Sequence, residues 1–241
     1  YCVIGGWVTK YVTVYAQGLV APVAKDGYFS DFIGHPVAPL VFFLIFMLIS
    51  IVVIMLGVKK GIEKLSKFLM PLLVVLTIGI AIYALTLPNA MEGVKYYLIP
   101  DFSKFSILTV AGAMSQLFYS MSIAMGIMVT YGSYTRDDVN LTKSVNRIEF
   151  FDTLVALLAG LTIIPAVYIF SGEEGLSSQG AGLMFITLPK VFQQMPGGSI
   201  IALLFFVLVF FAAITSSISV MEAIVSSLMD KFHLKRLPCC L

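Results

Sequence analysis

From Phe105 to Thr135 the chain carries no charged side chain, yet the middle of that stretch reads Phe118-Tyr119-Ser120-Met121-Ser122-Ile123-Ala124-Met125-Gly126. A run this long and apolar belongs in a bilayer, which about 20 residues suffice to cross. In hydrocarbon every backbone amide needs a partner, so a lipid-facing anchor has no use for two serines and a glycine at mid-depth. Two readings stand. The small residues form a helix–helix contact, as is common in membrane bundles, or the helix breaks there to bind something.

The rest of the chain fits a membrane setting. Hydrophobic residues make up 59% and charged residues 12%; a soluble domain carries roughly twice that charge. The pattern predicts an all-α polytopic transmembrane helix bundle in one domain over residues 1–232, with a tail over 233–241. Spans are expected at about 1–18, 36–58, 68–91, 105–135, 141–172 (uncharged from Thr153) and 191–232. The net charge of +2 and the lack of a basic stripe give no reason to expect a nucleic-acid partner. Cys2, Cys239 and Cys240 are too few and too poorly spaced for a disulfide framework or a zinc site. Tyr1 enters a helical pattern with no cap and the tail has no structural logic, so the chain is expected to be a fragment of something longer.

Lysine and arginine set the orientation. Lys59, Lys60, Lys64 and Lys67 follow the second span, Arg136, Lys143 and Arg147 the fourth, and Lys231, Lys235 and Arg236 the sixth. These regions alternate correctly to lie together on the cytoplasmic side. The outer segment from Ser171 to Gly198 is too long and apolar for a simple turn, and Met184–Pro189 predicts a short helical element, either a lid or a cap over helix ends.

Three positions could carry chemistry. Ala212, Thr215 and Ser216 stand at i, i+3 and i+4 and share a helix face. Two hydroxyls and a freed carbonyl suit a small hard cation; alternatively the hydroxyls back-bond to carbonyls one turn earlier. Asp152 borders a fully apolar run, where an acid is costly and faces a cavity, partner or ion; at the interface it would simply be wet. Glu222 and Asp230 lie in the inner half of the last helix, solvated by default or acting as gate partners. No enzyme is expected, because His35 and His233 both lie in polar flanks and no base stands beside the serines.

Read together, the segments Ile4-Gly5-Gly6-Trp7, Lys60-Gly61-Ile62-Glu63-Lys64, Thr130-Tyr131-Gly132-Ser133-Tyr134, Gly182–Pro189 and Phe211-Ala212-Ala213-Ile214-Thr215-Ser216-Ser217 resemble the neurotransmitter:sodium symporter family, in particular its bacterial amino-acid transporters. The resemblance runs from Tyr1 to about Phe232. It implies a truncated inverted-repeat transporter fold holding the family's third to eighth helices, one of them discontinuous at Ser120–Gly126. By position it implies a substrate site of Tyr1, Tyr119 as an aromatic lid, Ser120, Ser122, Met125, Ser216 and Val220. It implies sodium sites at Ser120 with Asp152, and at the Ala212 carbonyl with Thr215 and Ser216. Asp152 stands where the family has asparagine. Members that work without chloride keep a fixed acid near this site, so a chloride-independent carrier is implied. Asp230 matches an inner gate acid, with Tyr134 supporting closure.

The expected function is therefore sodium-coupled symport of a hydrophobic amino acid by alternating access across the cell membrane, with Na+ as the coupling ion. The 241 residues alone are expected to be inactive. Partners are the amino acid and the lipid bilayer, with homo-oligomerisation left open. The competing classes are an ion channel and a non-transporting structural or regulatory subunit.

Overall fold

The computed structural model describes residues 1–177 and 180–240. Its order is α1 (Cys2–Ala16), α2 (Val20–Val23), α3 (Tyr28–Gly34), α4 (Ala38–Met55), α5 (Lys64–Leu85), α6 (Ala90–Leu98), α7 (Ile107–Ser120), α8 (Ile127–Ser133), α9 (Leu141–Ser177), α10 (Leu188–Gln194), α11 (Gly198–Phe232) and α12 (Arg236–Cys240). The described residues form helices and no strands. Four helices are long and apolar enough to cross a membrane: Ala38–Met55, Val58–Leu85, Leu141–Gly172 and Gly198–Phe232. The protein is a multi-pass membrane protein.

Helix ends depart from the uncharged runs wherever backbone chemistry, not charge, sets the boundary. The third span begins at Lys64, after a π-turn over Val58–Glu63, and stops at Leu85 rather than at residue 91. Pro88 disfavours helix at the residue before it, and Asn89 adopts a left-handed conformation with φ 62°. The fifth helix runs through Lys143, Arg147 and Glu149 to Ser177, with a kink at Gly172 (φ 62°, ψ −163°). The sixth begins at Gly198; residues 191–194 belong to α10 instead.

Helix contact here rests on small residues that bring backbones together, because lipid offers no hydrophobic gain for helices that associate. Gly5 and Gly6 of α1 lie against α4: a Cβ on Gly6 would sit 2.7 Å from the Phe43 amide nitrogen and 2.8 Å from its Cα. Ser50 of α4 and Ser217 of α11, both buried, join at 3.3 Å, and the Cys2 sulfur lies 3.4 Å from Ser217. Gly6→Ala is expected to separate α1 from α4 and cost about 1–3 kcal/mol, since a backbone neighbour cannot rotate away. An unfolding titration in SDS would read this, and an unchanged midpoint would show that the contact is loose.

The outer element is a cap seated on α1 and α11. Phe185, Leu188, Val191 and Phe192 are buried in one core with Tyr11, Tyr15, Ala202, Phe205 and Phe206. A π-turn over Leu183–Thr187 leaves the Phe185 carbonyl free to accept the Tyr11 hydroxyl at 2.8 Å. Phe185 stacks on Phe29, and Trp7 meets both edge-on. Residues 178 and 179 of this outer segment, and Leu241 of the tail, lie outside the described residues.

Candidate functional site

The long uncharged stretch breaks. Helix α7 starts from a capping box in which Ser106 and Thr109 bond each other's amides, and ends at Ser120. Ser122 follows at φ 57°, a 3-10 turn spans Ile123–Met125, and Gly126 at φ 72° leads into α8. Glycine takes that conformation without penalty. Serine does not: the left-handed region costs an L-residue roughly 1–2 kcal/mol. Two such residues four positions apart in an apolar span mark a built interruption, not a frayed end.

The break brings an acid to the end of a helix. The Ser120 hydroxyl donates to Asp152 Oδ1 of α9 at 2.6 Å, in the short range of a charge-assisted bond. Ser120 is also the last residue of α7, where the helix dipole places partial negative charge. Carboxylate, hydroxyl and helix carboxyl end together form an oxygen-rich, negative spot suited to a hard cation.

Across from it, α11 presents Thr215 and Ser216. The Thr215 hydroxyl donates to the carbonyls of Phe211 and Ala212, each at 3.0 Å. For Thr215 the back-bonding alternative is therefore realised. It also draws the Ala212 carbonyl and the Thr215 hydroxyl together, with lone pairs remaining on both oxygens.

Tyr1, Ser120, Ser122, Asp152, Thr215 and Ser216 line one cavity of about 400 Å³. Tyr119 stands beside it, its ring stacked on that of Tyr1 at 6.3 Å between centroids. Met125 is not brought there. The turn after Ser122 carries it to a second cavity of about 460 Å³ with Gly126, Val129, Thr130, Ala223, Ile224, Ser227 and Leu228. Val220 lines neither cavity.

Residues 29–238 match the sequence pattern of the sodium:neurotransmitter symporter family. The chain belongs to that family. It is 35% identical over 243 residues to an uncharacterized sodium-dependent transporter of Haemophilus influenzae, covering 98% of this chain and 52% of the relative. To the sodium-dependent transporter YhdH of Bacillus subtilis it is 36% identical over 259 residues, covering 100% and 57%. The crystal structure of MhsT in complex with L-phenylalanine superposes with a TM-score of 0.87 at 38% identity, covering all of this chain and 55% of that one. The chain thus spans about half the length of the relatives it matches.

The family resemblance did not single out every residue of this cavity. Ile62, Ser66 and Met70 form one wall of it. They stand at i, i+4 and i+8, Ile62 on the π-turn and Ser66 and Met70 on α5, a spacing visible in sequence, but nothing there says which face turns inward. Tyr131 of α8 and Ser219 of α11 also line it, joined at 2.8 Å. Below them the Tyr134 hydroxyl donates to Glu222 at 2.8 Å, while Asp230, two turns further along α11, is exposed. Glu222 is fully buried and receives both terminal nitrogens of Arg236, whose Nε donates to the Ile54 carbonyl at 2.8 Å.

Proposed function

We propose that the complete protein is a sodium-coupled symporter of a hydrophobic amino acid, working by alternating access in the cell membrane and independent of chloride. The observation that carries this reading is the interrupted span at 121–126, with Ser120 bonded to Asp152 and Thr215 on the opposite wall of the same cavity. Sodium is read as a co-substrate held by oxygen atoms alone. Ser120 and Asp152 would hold one ion; the Ala212 carbonyl, Thr215 and Ser216 would hold another. Asp152 would supply the fixed negative charge that chloride supplies elsewhere. Asp230 and Tyr134 would close the inner side. No catalytic step is needed.

The energetics suffice. One charge crossing about 100 mV releases roughly 2.3 kcal/mol. Two sodium ions release about 4.6 kcal/mol, enough for roughly 2000-fold accumulation before any chemical gradient is added.

The amino-acid class is supported by the oxygen-rich centre with apolar flanks from Ile62, Met70 and Met121, and by the phenylalanine bound in MhsT. The 241 residues by themselves are expected to give no sodium-dependent uptake, because α7, which carries Ser120, has no buried residue within this chain.

The test is equilibrium binding of radiolabelled phenylalanine to the full-length protein in sodium, potassium and chloride-free sodium buffers. Saturable binding in both sodium buffers, absent in potassium, is expected. Ionic conductance without saturable sodium-dependent binding would instead identify a channel.

A further inference from the structure

We propose that the inner corner formed by the π-turn over Val58–Glu63 and the first turns of α5 is a docking surface for the headgroup of an anionic phospholipid. The inference rests on the placement of α4 and α5 in a bilayer, not on the transport reading.

The turn joins two long apolar helices, so it must lie where the membrane meets water. On it stand Lys59, Lys60, Lys64 and Lys67, against a single acid, Glu63. Four positive charges less one leave +3 within nine residues, more than the +2 of the whole chain. Glu63 is committed to Lys67 at 2.6 Å. All four lysines are exposed.

The other basic segments on that side carry less excess charge. Arg136, Lys143 and Arg147 face Asp137, Asp138 and Glu149 in sequence, three against three, and Arg136 is bonded to Asp138 at 3.0 Å. In the tail Lys231, Lys235 and Arg236 stand against Glu222 and Asp230, which leaves +1, and Arg236 is paired with Glu222. This corner alone among the described inner segments keeps three uncompensated charges.

Its rim is equally specific. Leu56 and Phe68, 59% and 68% exposed, flank the lysines and point away from the core. Apolar side chains thus stand at acyl depth next to ammonium groups at headgroup depth. A zwitterionic headgroup also brings its own cation, which the lysines repel. An anionic headgroup does not, and each lysine near such a surface contributes about fivefold in affinity. Ile62, between Lys60 and Lys64, lines the cavity described above, so the lipid would sit on the back of that cavity's wall.

The experiment compares dissociation constants of short-chain phosphatidylglycerol and phosphatidylcholine for the full-length protein by native mass spectrometry. Phosphatidylglycerol is expected to bind at least tenfold more tightly. K59Q/K60Q/K64Q is expected to erase that preference, K60Q to lower it about fivefold, and R136Q/K143Q/R147Q to leave it intact. Circular dichroism and gel filtration confirm that each variant folds, and K60Q carries the test should the triple variant not. Equal affinities in the parent protein, an equal loss in the arginine/lysine control, or displacement by inorganic phosphate as effective as by lipid would each overturn the proposal.

Discussion

Asp152→Asn in the full-length protein is expected to weaken sodium-dependent phenylalanine binding at least tenfold and to make it respond to chloride. Asparagine keeps the shape and still accepts the Ser120 hydroxyl, so the change isolates charge. The Ser120–Asp152 contact at 2.6 Å puts the carboxylate within one ion's reach of the end of α7. At an effective dielectric of about 20, two unit charges 4 Å apart attract by about 4 kcal/mol. Losing that attraction exceeds the 1.4 kcal/mol that a tenfold drop requires. Titrating sodium with chloride or gluconate as counter-ion reads both effects. If the asparagine variant kept its sodium affinity and its indifference to chloride, Asp152 would be no ion ligand, and its bond to Ser120 would be a structural tie alone.

The second large effect is on stability. Glu222→Ala should cost roughly 3–5 kcal/mol, the penalty for leaving half of a buried ion pair. Glu222 is fully buried, while the Arg236 side chain keeps about a fifth of its surface in contact with solvent. Four elements meet at this carboxylate: α11 supplies it, α8 reaches it through Tyr134, α12 through Arg236, and α4 receives the Arg236 Nε at the Ile54 carbonyl. Removing the acid takes the acceptor from three donor atoms at once, the Tyr134 hydroxyl and both terminal nitrogens of Arg236. The double variant E222M/R236M should recover most of the loss, because a packed apolar pair of similar size does well where an ion pair is buried. SDS-induced unfolding of the single and double variants decides it. A double variant no better than the single would mean that the Tyr134 bond, not the ion pair, holds the inner end together.

Much of the molecule was legible in its sequence, and for a physical reason. Hydrocarbon admits so few backbone solutions that uncharged runs name the helices, and small residues within them name either contacts or breaks. Two serines and a glycine where lipid gives polar atoms no reward left a contact or a break after Ser120 both open, and the family resemblance pointed to the break. Family membership was visible as five short segments in order, and residues 29–238 bear it out. Helix ends were less legible. Charge counting does not register Pro88 or Asn89, whose backbone preferences stop α5 and start α6.

What the sequence determined alone was the solvent of the fold and the residue types at its centre. An apolar chain has one medium, and hydroxyls at mid-depth have few uses. What the tertiary structure decided was which of those residues meet. A periodicity gives the faces of one helix but not the angle of the next. Only packing could seat Ser120 on Asp152, send Met125 to a different cavity, place Ser66 and Tyr131 in the wall, and draw Tyr134 to Glu222. Those pairings join residues 32 to 88 positions apart. At such separations contact depends on backbone approach at positions such as Gly6, a three-dimensional fit that no local pattern encodes.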